Sequence, residues 1–231
     1  MRKKIELYED DIGFVEYVSH MGDDTTIVNS ARVSFGKRVD NINERDKKLI
    51  KYLIKHRHTS TLEHNVVTFR FKVPLFIRSQ HHRHRTWSYN EISRRYTEFN
   101  LEFYEPKRFR HQSKSNRQAS TDSLFDPVLG DVLGLTSEVI KEHHEASLYL
   151  YEQMLGAGIC REQARGVLPQ NLYTEYYGTC NLNNLLKFIG LRNHEGAQWE
   201  IQQVAKACLE IAEDLFPITI EAYNKVQNEE S

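Results

Sequence analysis

Two periodicities alternate along the first half of the chain. Residues 65–73, NVVTFRFKV, repeat with period two. Val67, Phe69, Phe71 and Val73 fall on one face, Thr68, Arg70 and Lys72 on the other, which predicts a half-buried strand. Just upstream, residues 44–56, ERDKKLIKYLIKH, set Leu49, Ile50, Leu53 and Ile54 on one side of a helix and lysines on the other. GFVEYVSHMG (13–22) reads as a strand closing on Gly22. DDTTIVNSARVSF (23–35) reads as a helix with Ile27, Val28 and Ala31 at helical spacing and Asp24 or Thr25 as its cap. Pro74 stops the 65–73 strand and suits the first turn of a helix, PLFIRSQHHRHR. LEFYEP (101–106) is a further short strand.

From about Asp131 the pattern turns mostly helical. Residues 136–158 form one helix, opened by a capping threonine or serine and closed near Gly156. REQARGVLP (161–169) is a short helix ended by Pro169, and 181–196 and 197–216 are two more, split at Gly196. Residues 107–122, KRFRHQSKSNRQASTD, are polar and aperiodic and predict a mobile surface loop. No internal repeat is visible. The expected fold is one α/β domain over residues 1–231, with a central antiparallel sheet flanked by helices and a helix-rich C-terminal half.

Charge is nearly balanced, with 31 basic and 32 acidic side chains and a formal net of −1. That argues against a general nucleic-acid or membrane coat, which calls for a strong basic excess. Three widely spaced cysteines, Cys160, Cys180 and Cys208, form no CxxC pair, so neither a disulfide framework nor a structural zinc is expected, and a cytoplasmic, reducing setting is. The opening MRKKIELYED has no apolar run of the kind a signal peptide carries, and no stretch approaches the ~20 apolar residues of a membrane span.

One segment departs from this even distribution. Between Arg78 and Arg95 stand five arginines and three histidines against one carboxylate, Glu91. A charge run is most often only a solvated helix face. Here Trp87 and Tyr89 are costly to expose, and Ser88, Asn90 and Ser93 place short hydrogen-bonding groups beside the charge. Arginine grips phosphate bidentately, so a compact phosphorylated ligand suits the cluster. Metal is not expected, because the arginines would repel a cation. Phosphate-binding glycine loops and a GxSxG elbow are absent. Two rival readings remain: a module for single-stranded RNA, using stacking and phosphate contacts, and a flavoenzyme acting on another nucleotide.

The spacing carries a resemblance. RHRTWSYNEISRR, residues 83–95, matches every specified position of RHRxxSxNExSxR, the signature of flavin-dependent thymidylate synthases. KLIKYLIKH, LEH, VLPQNLYT and LRNHEGAQWEIQ resemble further segments of that family, in the same order. The resemblance implies FAD as cofactor, dUMP as substrate, 5,10-methylenetetrahydrofolate as carbon donor, NADPH as reductant, and a homotetramer with active sites at subunit interfaces. It implies no polymeric nucleic acid, no membrane and no cysteine nucleophile. Carried over residue by residue, it places Gln80, Arg83, Glu91, Ser93, Arg95, Arg165 and Arg192 at dUMP. It places His58, Ser60, Arg83, His84, Arg85, Glu91, Asn181, Asn183 and Lys187 at FAD. Arg192 is expected to stabilise charge on the uracil and Ser93 to position the nucleotide. The chain departs from the family at Asn183, Lys187 and Gly196. No role is implied for His81 or His82.

Overall fold

The structure, a computed structural model, describes residues 3–93, 101–117, 119–130 and 134–230. Its centre is a five-stranded sheet built from β1 (Lys4–Glu6), β2 (Phe14–Met21), β3 (Val66–Pro74), β4 (Ser88–Glu91) and β7 (Tyr173–Asn181). The spatial order is β1-β2-β3-β7-β4, and every pairing is antiparallel. β3 behaves as its alternation requires: Val67, Phe69, Phe71 and Val73 are buried, while Thr68, Arg70 and Lys72 are only partly covered.

Helices α1 (Asp24–Arg32), α2 (Glu44–Lys55), α3 (Leu75–His81), α4 (Thr136–Gly156), α5 (Arg161–Ala164), α6 (Leu182–Arg192), α7 (Trp199–Leu215) and α8 (Pro217–Glu230) surround it. Ile201, Val204, Ala205, Cys208 and Ile211 of α7 join Val15, Phe69 and Phe71 of the sheet in one apolar core. The opposite sheet face is polar. There Arg70 pairs with Glu16 at 3.3 Å and Glu175 at 3.0 Å, and Tyr177 stays 46 % exposed.

Several sequence expectations are corrected. The helical reading of the second half passes over β7, although Thr174, Tyr176, Gly178 and Cys180 alternate inward against Glu175, Tyr177 and Thr179. β7 is the partner of both β3 and β4, so the sheet depends on it. Ser88 and Asn90 lie on β4, an edge strand in register with Thr179 and Tyr177. The expected loop at 107–122 contains a hairpin, β5 (Phe109–Gln112) with β6 (Ser120–Phe125), fastened by His111 stacked on Phe125 at 3.7 Å. Residues 101–106 make only a single bridge, Phe103 to Leu172. α1 is capped by Asp23, whose Oδ1 accepts from Thr26 N at 2.9 Å, because Asp24 is buried and accepts from Ile218 and Thr219 at the start of α8. α4 has Leu135 at its cap, and Asp126 instead takes the Ser137 N–H at 3.0 Å. β1 and α8 are elements that the sequence pattern does not announce.

Gly178 is the tightest point under the basic segment. A Cβ there would lie 2.8 Å from the Phe71 ring and 3.3 Å from the Trp87 indole. Gly178→Val is expected to cost about 1–3 kcal/mol through overpacking. A lowered urea midpoint with an unchanged slope checks it, and a midpoint at the parental value would show that the two rings yield freely.

Candidate active site

The basic segment is held from beneath by aromatic residues. α3 ends at His81, and the chain turns through residues 82–87 before entering β4. The Tyr89 hydroxyl lies 2.9 Å from the His81 carbonyl and 3.2 Å from that of His84, tying the turn down at both ends. Trp87 is buried, stacked near Phe69 and edge-on to His81. Arg83 and Arg85 project outward and are exposed, and among the described residues no carboxylate pairs with either.

Part of the apparent positive charge, that of the histidines, is absent from the folded protein. His81 is 0 % exposed, enclosed by Phe71, Trp87, Tyr89, Tyr176 and Phe188, with Nδ1 2.8 Å from the Tyr176 hydroxyl. Burial pushes its pKa well below the usual histidine range, and the neighbouring His84, His82 and Arg192 push the same way. His82 stacks on Tyr89 at 4.1 Å and is lowered by burial, partly offset by Glu91. His84 is pushed down to about 4, by burial first and by Arg192 second. Three histidines that look cationic in the sequence are therefore neutral at pH 7.

This arrangement sets a pH dependence. All three folded pKa values lie below the unfolded value of about 6.5, so the unfolded chain binds more protons as pH drops under that value. Stability is full above about pH 6.5 and is lost progressively as pH falls toward the folded values. His81→Phe should flatten this slope by up to roughly 1.4 kcal/mol per pH unit. Urea midpoints across that window measure it, and a slope matching the parent would mean that His81 is not part of the linkage.

Arg192 closes α6, the helix that follows β7. Its Nε–H donates to His84 Nε2 at 3.2 Å, which requires the neutral His84 just described. Burial draws the Arg192 pKa down from the usual guanidinium range. A fixed cation thus stands at the junction of the α6 C-terminus and the RHR turn.

A cleft of about 630 Å³ collects a different set of residues, and neither Arg192 nor the RHR turn lines it. It gathers Arg78 from α3, Glu91 and Ser93 from the end of β4, and Glu162 and Arg165 from α5 and the 3-10 turn after it. Gly166, Leu168, Gln170, Tyr173 and Thr174 are also part of its wall. Glu91 Oε1 forms an ion pair with Arg78 Nε at 3.2 Å and accepts from the Thr174 hydroxyl at 2.7 Å. Its charge is balanced inside the site, which leaves Arg165 facing the cleft as an exposed cation. Glu162 is exposed here too, so the lining is neutral in sum, and it is the fork of Arg165 that can meet one anionic group of a small ligand. Arg165 sits here with Glu162, three positions away, while Arg161 is not among the lining residues.

The remaining expected residues divide. Arg95 lies outside the described residues. Gln80 does not line the cleft; its amide meets Gln198 at 2.5 Å. His58 and Ser60 are exposed, at and within the 3-10 turn Thr59–Leu62. Asn183 and Lys187 line a second, smaller cleft of about 310 Å³ with Arg57, Thr59, Leu186 and Tyr223. Asn181 Oδ1 accepts from Asn184 N at 2.9 Å and caps α6, and the Asn183 amide donates to Glu63 at 2.9 Å. Sequence reasoning misses Arg78, Thr174, Gln198 and Glu200. Arg78 lies on α3, the helix that leads into the RHR motif. The other three sit in the VLPQNLYT and AQWEIQ segments, whose resemblance to the family was the one signal available for them.

Fit to a flavin dinucleotide follows from the donor chemistry. A pyrophosphate needs exposed cations and hydroxyls. Arg83, Arg85, Lys187, Arg57 and Ser60 are exposed, with no described carboxylate against the four cations. Asn181 and Asn183 fit less directly, since Asn181 Oδ1 already caps α6 and Asn183 Nδ2 already donates to Glu63. Among the described residues there is no cluster of three or more metal-ligating side chains, and no helix long and apolar enough to cross a membrane.

Comparison with known proteins gives concordant findings. The family model described as "Thymidylate synthase complementing protein" matches residues 16–218. A flavin-dependent thymidylate synthase of Thermus thermophilus is 46 % identical over 215 residues, covering 93 % of this chain and 77 % of its own. One from Kosmotoga olearia is 43 % identical, covering 91 % and 90 %. Among solved structures, the UMP/dUMP methylase PolB from Streptomyces cacaoi, bound with 5-Br dUMP, superposes with a TM-score of 0.78 at 33 % identity, covering 96 % of this chain and 97 % of its own.

Proposed function

Because this chain belongs to the flavin-dependent thymidylate synthase family, we propose that the cleft between Arg78, Glu91, Ser93 and Arg165 holds dUMP and that the protein methylates it to dTMP. The observation that carries this reading is the convergence of Glu91, Ser93 and Arg165, from two distant segments, on one cleft. Arg165 supplies the cation for the nucleotide phosphate and Ser93 a short hydroxyl beside it. Glu91, fixed by Arg78 and Thr174, keeps its carboxylate in one orientation. Arg95 belongs to the same grip by resemblance.

Arg83, Arg85, His58, Ser60 and Lys187 are the residues that would hold FAD, with His84, Asn181 and Asn183 supporting them from behind. Bound flavin, reduced by NADPH, supplies the reducing equivalents that turn the methylene carbon of 5,10-methylenetetrahydrofolate into the methyl group of dTMP. By resemblance, Arg192, which lies outside the lining of this cleft in a single copy of the chain, stabilises negative charge that develops on the uracil ring when C5 acts as a carbon nucleophile. His84 orients Arg192 by accepting its Nε–H. Cysteine attack is not part of this scheme: burial pushes the Cys180 and Cys208 thiols far above their usual range, and Cys160 does not line the cleft.

The homotetramer and its shared sites belong to this reading too. The exposed Tyr177 and Val18 on the outer sheet face offer surface for a second copy. The deciding assay is release of tritium from C5-labelled dUMP, with methylenetetrahydrofolate and NADPH, by protein carrying visible flavin absorbance. Colourless protein that binds RNA with steep salt dependence would favour the nucleic-acid reading instead.

A further inference from the structure

An amide has two ends of nearly the same shape but opposite hydrogen-bonding sense, so Gln80 can serve a nucleotide only if something keeps it facing one way. Gln80 lies in the last turn of α3, and its Nε2 donates to Gln198 Oε1 at 2.5 Å. Gln198 stands at the cap of α7 but makes no cap bond; its own Nε2 donates to Glu200 Oε2 at 2.9 Å. Glu200 is 5 % exposed and sits in the first turn of α7, where the positive helix end favours a carboxylate. Its Oε1 takes Arg110 Nη2 at 2.7 Å and the Tyr104 hydroxyl at 3.2 Å. Arg110 comes from the β5–β6 hairpin and lies over the Trp199 ring at 5.1 Å.

The direction of every bond follows from the carboxylate. A carboxylate only accepts, so the end of Gln198 that faces it must be the NH₂. The end of Gln198 that faces Gln80 is then the carbonyl, and Gln80 must turn its own NH₂ toward it. This logic holds regardless of how the amide oxygen and nitrogen atoms are assigned. Among the described residues nothing donates to Gln80 Oε1. We infer that Glu200, acting through Gln198, sets the amide polarity of Gln80, so that Gln80 offers a carbonyl oxygen to an O–H or N–H donor of the nucleotide. Glu200 and Gln198 are positioning residues. The donor is a sugar hydroxyl or the imide N–H of the pyrimidine, not a phosphate oxygen. This inference rests on the resemblance that reads Gln80 as a dUMP contact; Gln80 does not line the Arg165 cleft of its own chain, so the nucleotide it meets is one shared across the subunit interface of the proposed homotetramer.

Charge removal should invert the relay. In Glu200→Gln, the new side chain keeps its oxygen toward Arg110 and turns its NH₂ to Gln198. Gln198 then flips, and Gln80 must point its carbonyl inward and its NH₂ at the nucleotide. Adding Gln80→Glu to Glu200→Gln restores an outward acceptor and satisfies each inward bond in the reversed sense.

The test measures dUMP Kd, KM and kcat on holoenzyme, with thermal melting alongside. Gln80→Ala should raise dUMP Kd and KM about tenfold, as loss of one hydrogen bond does. Glu200→Gln should match it with kcat nearly kept. The double variant should recover affinity to within about threefold of the parent, an outcome that a packing role does not produce. Deoxyuridylate analogues lacking the 3′-hydroxyl, or methylated at N3, identify the donor: the one that Gln80 reads binds parent and Gln80→Ala alike. If Gln80→Ala alone leaves Kd and KM within about twofold, the contact itself is wrong and the inference falls with it. If Gln80→Ala weakens binding but Glu200→Gln does not, the contact stands and the relay is overturned. Should Glu200→Gln fail to fold, Gln198→Met, which frees Gln80 to rotate, carries the same two outcomes.

Discussion

Arg192→Ala is expected to lower kcat about 10²–10³-fold while dUMP affinity changes little. The reason lies in when the interaction is made. The uracil ring is neutral on binding and gains negative charge only as C5 becomes nucleophilic, so a cation aimed at the ring acts on the transition state more than on the ground state. Removing one preorganised donor of this kind costs about 2.7–4 kcal/mol. Arg192 meets the requirement of preorganisation: it closes α6, is partly buried, and has its Nε held by His84 at 3.2 Å. The same geometry limits the enzyme on the acid side. As pH approaches about 4 His84 gains a proton, loses the lone pair that accepts from Arg192 and faces it as a like charge. Single-turnover tritium release with saturating dUMP measures the effect, and near-parental turnover would remove Arg192 from the chemistry.

Arg165→Ala should act on the other parameter, raising dUMP KM about 10²-fold with a smaller effect on kcat. A guanidinium gripping a phosphate makes two parallel charge-assisted bonds, each worth about 1.5 kcal/mol or more. The phosphate does not change during the reaction, so the contact is felt equally in ground and transition states. Glu91 and Arg78 neutralise each other within the cleft, and of the two charges that remain in its lining, Glu162 and Arg165, only Arg165 can grip a phosphate. Arg165→Lys should recover only part of the loss, because an ammonium lacks the fork. Calorimetric titration of dUMP into the holoenzyme decides it. Affinity within a few-fold of the parent would move the phosphate elsewhere.

The two predictions depend on the sequence to different degrees. Arg192 and Arg165 were both nameable from motif resemblance alone, as were Glu91 and Ser93. The acceptor that fixes Arg192 was nameable only as a flavin residue, because His84 and Arg192 are far apart in the chain and share no local pattern. Asn181 and Asn183 show what spacing leaves out. Their side chains were assigned to a ligand, and the fold engages them in capping α6 and in bonding Glu63. Capping by Asn181 was legible in its place before a helical run, had the preceding strand been seen.

What the sequence determined by itself was local or periodic. The alternation in 65–73 fixed the inward face of β3, and the apolar stripe of 44–56 fixed that of α2, since a strand or helix must bury whichever face repeats. The RHR signature fixed the family resemblance, and with it the residues proposed for the chemistry. Tertiary structure decided the rest because charge and orientation depend on neighbours that spacing does not reveal. His81 is three residues from His84 in sequence, yet only burial among five aromatic rings makes it a neutral core residue. Strand β7 carried an alternation diluted by Tyr177 and Gly178, and its place between β3 and β4 came from partners on both sides. Gln80 gained a direction only when α7 brought Gln198 and Glu200 against it, from more than a hundred residues away.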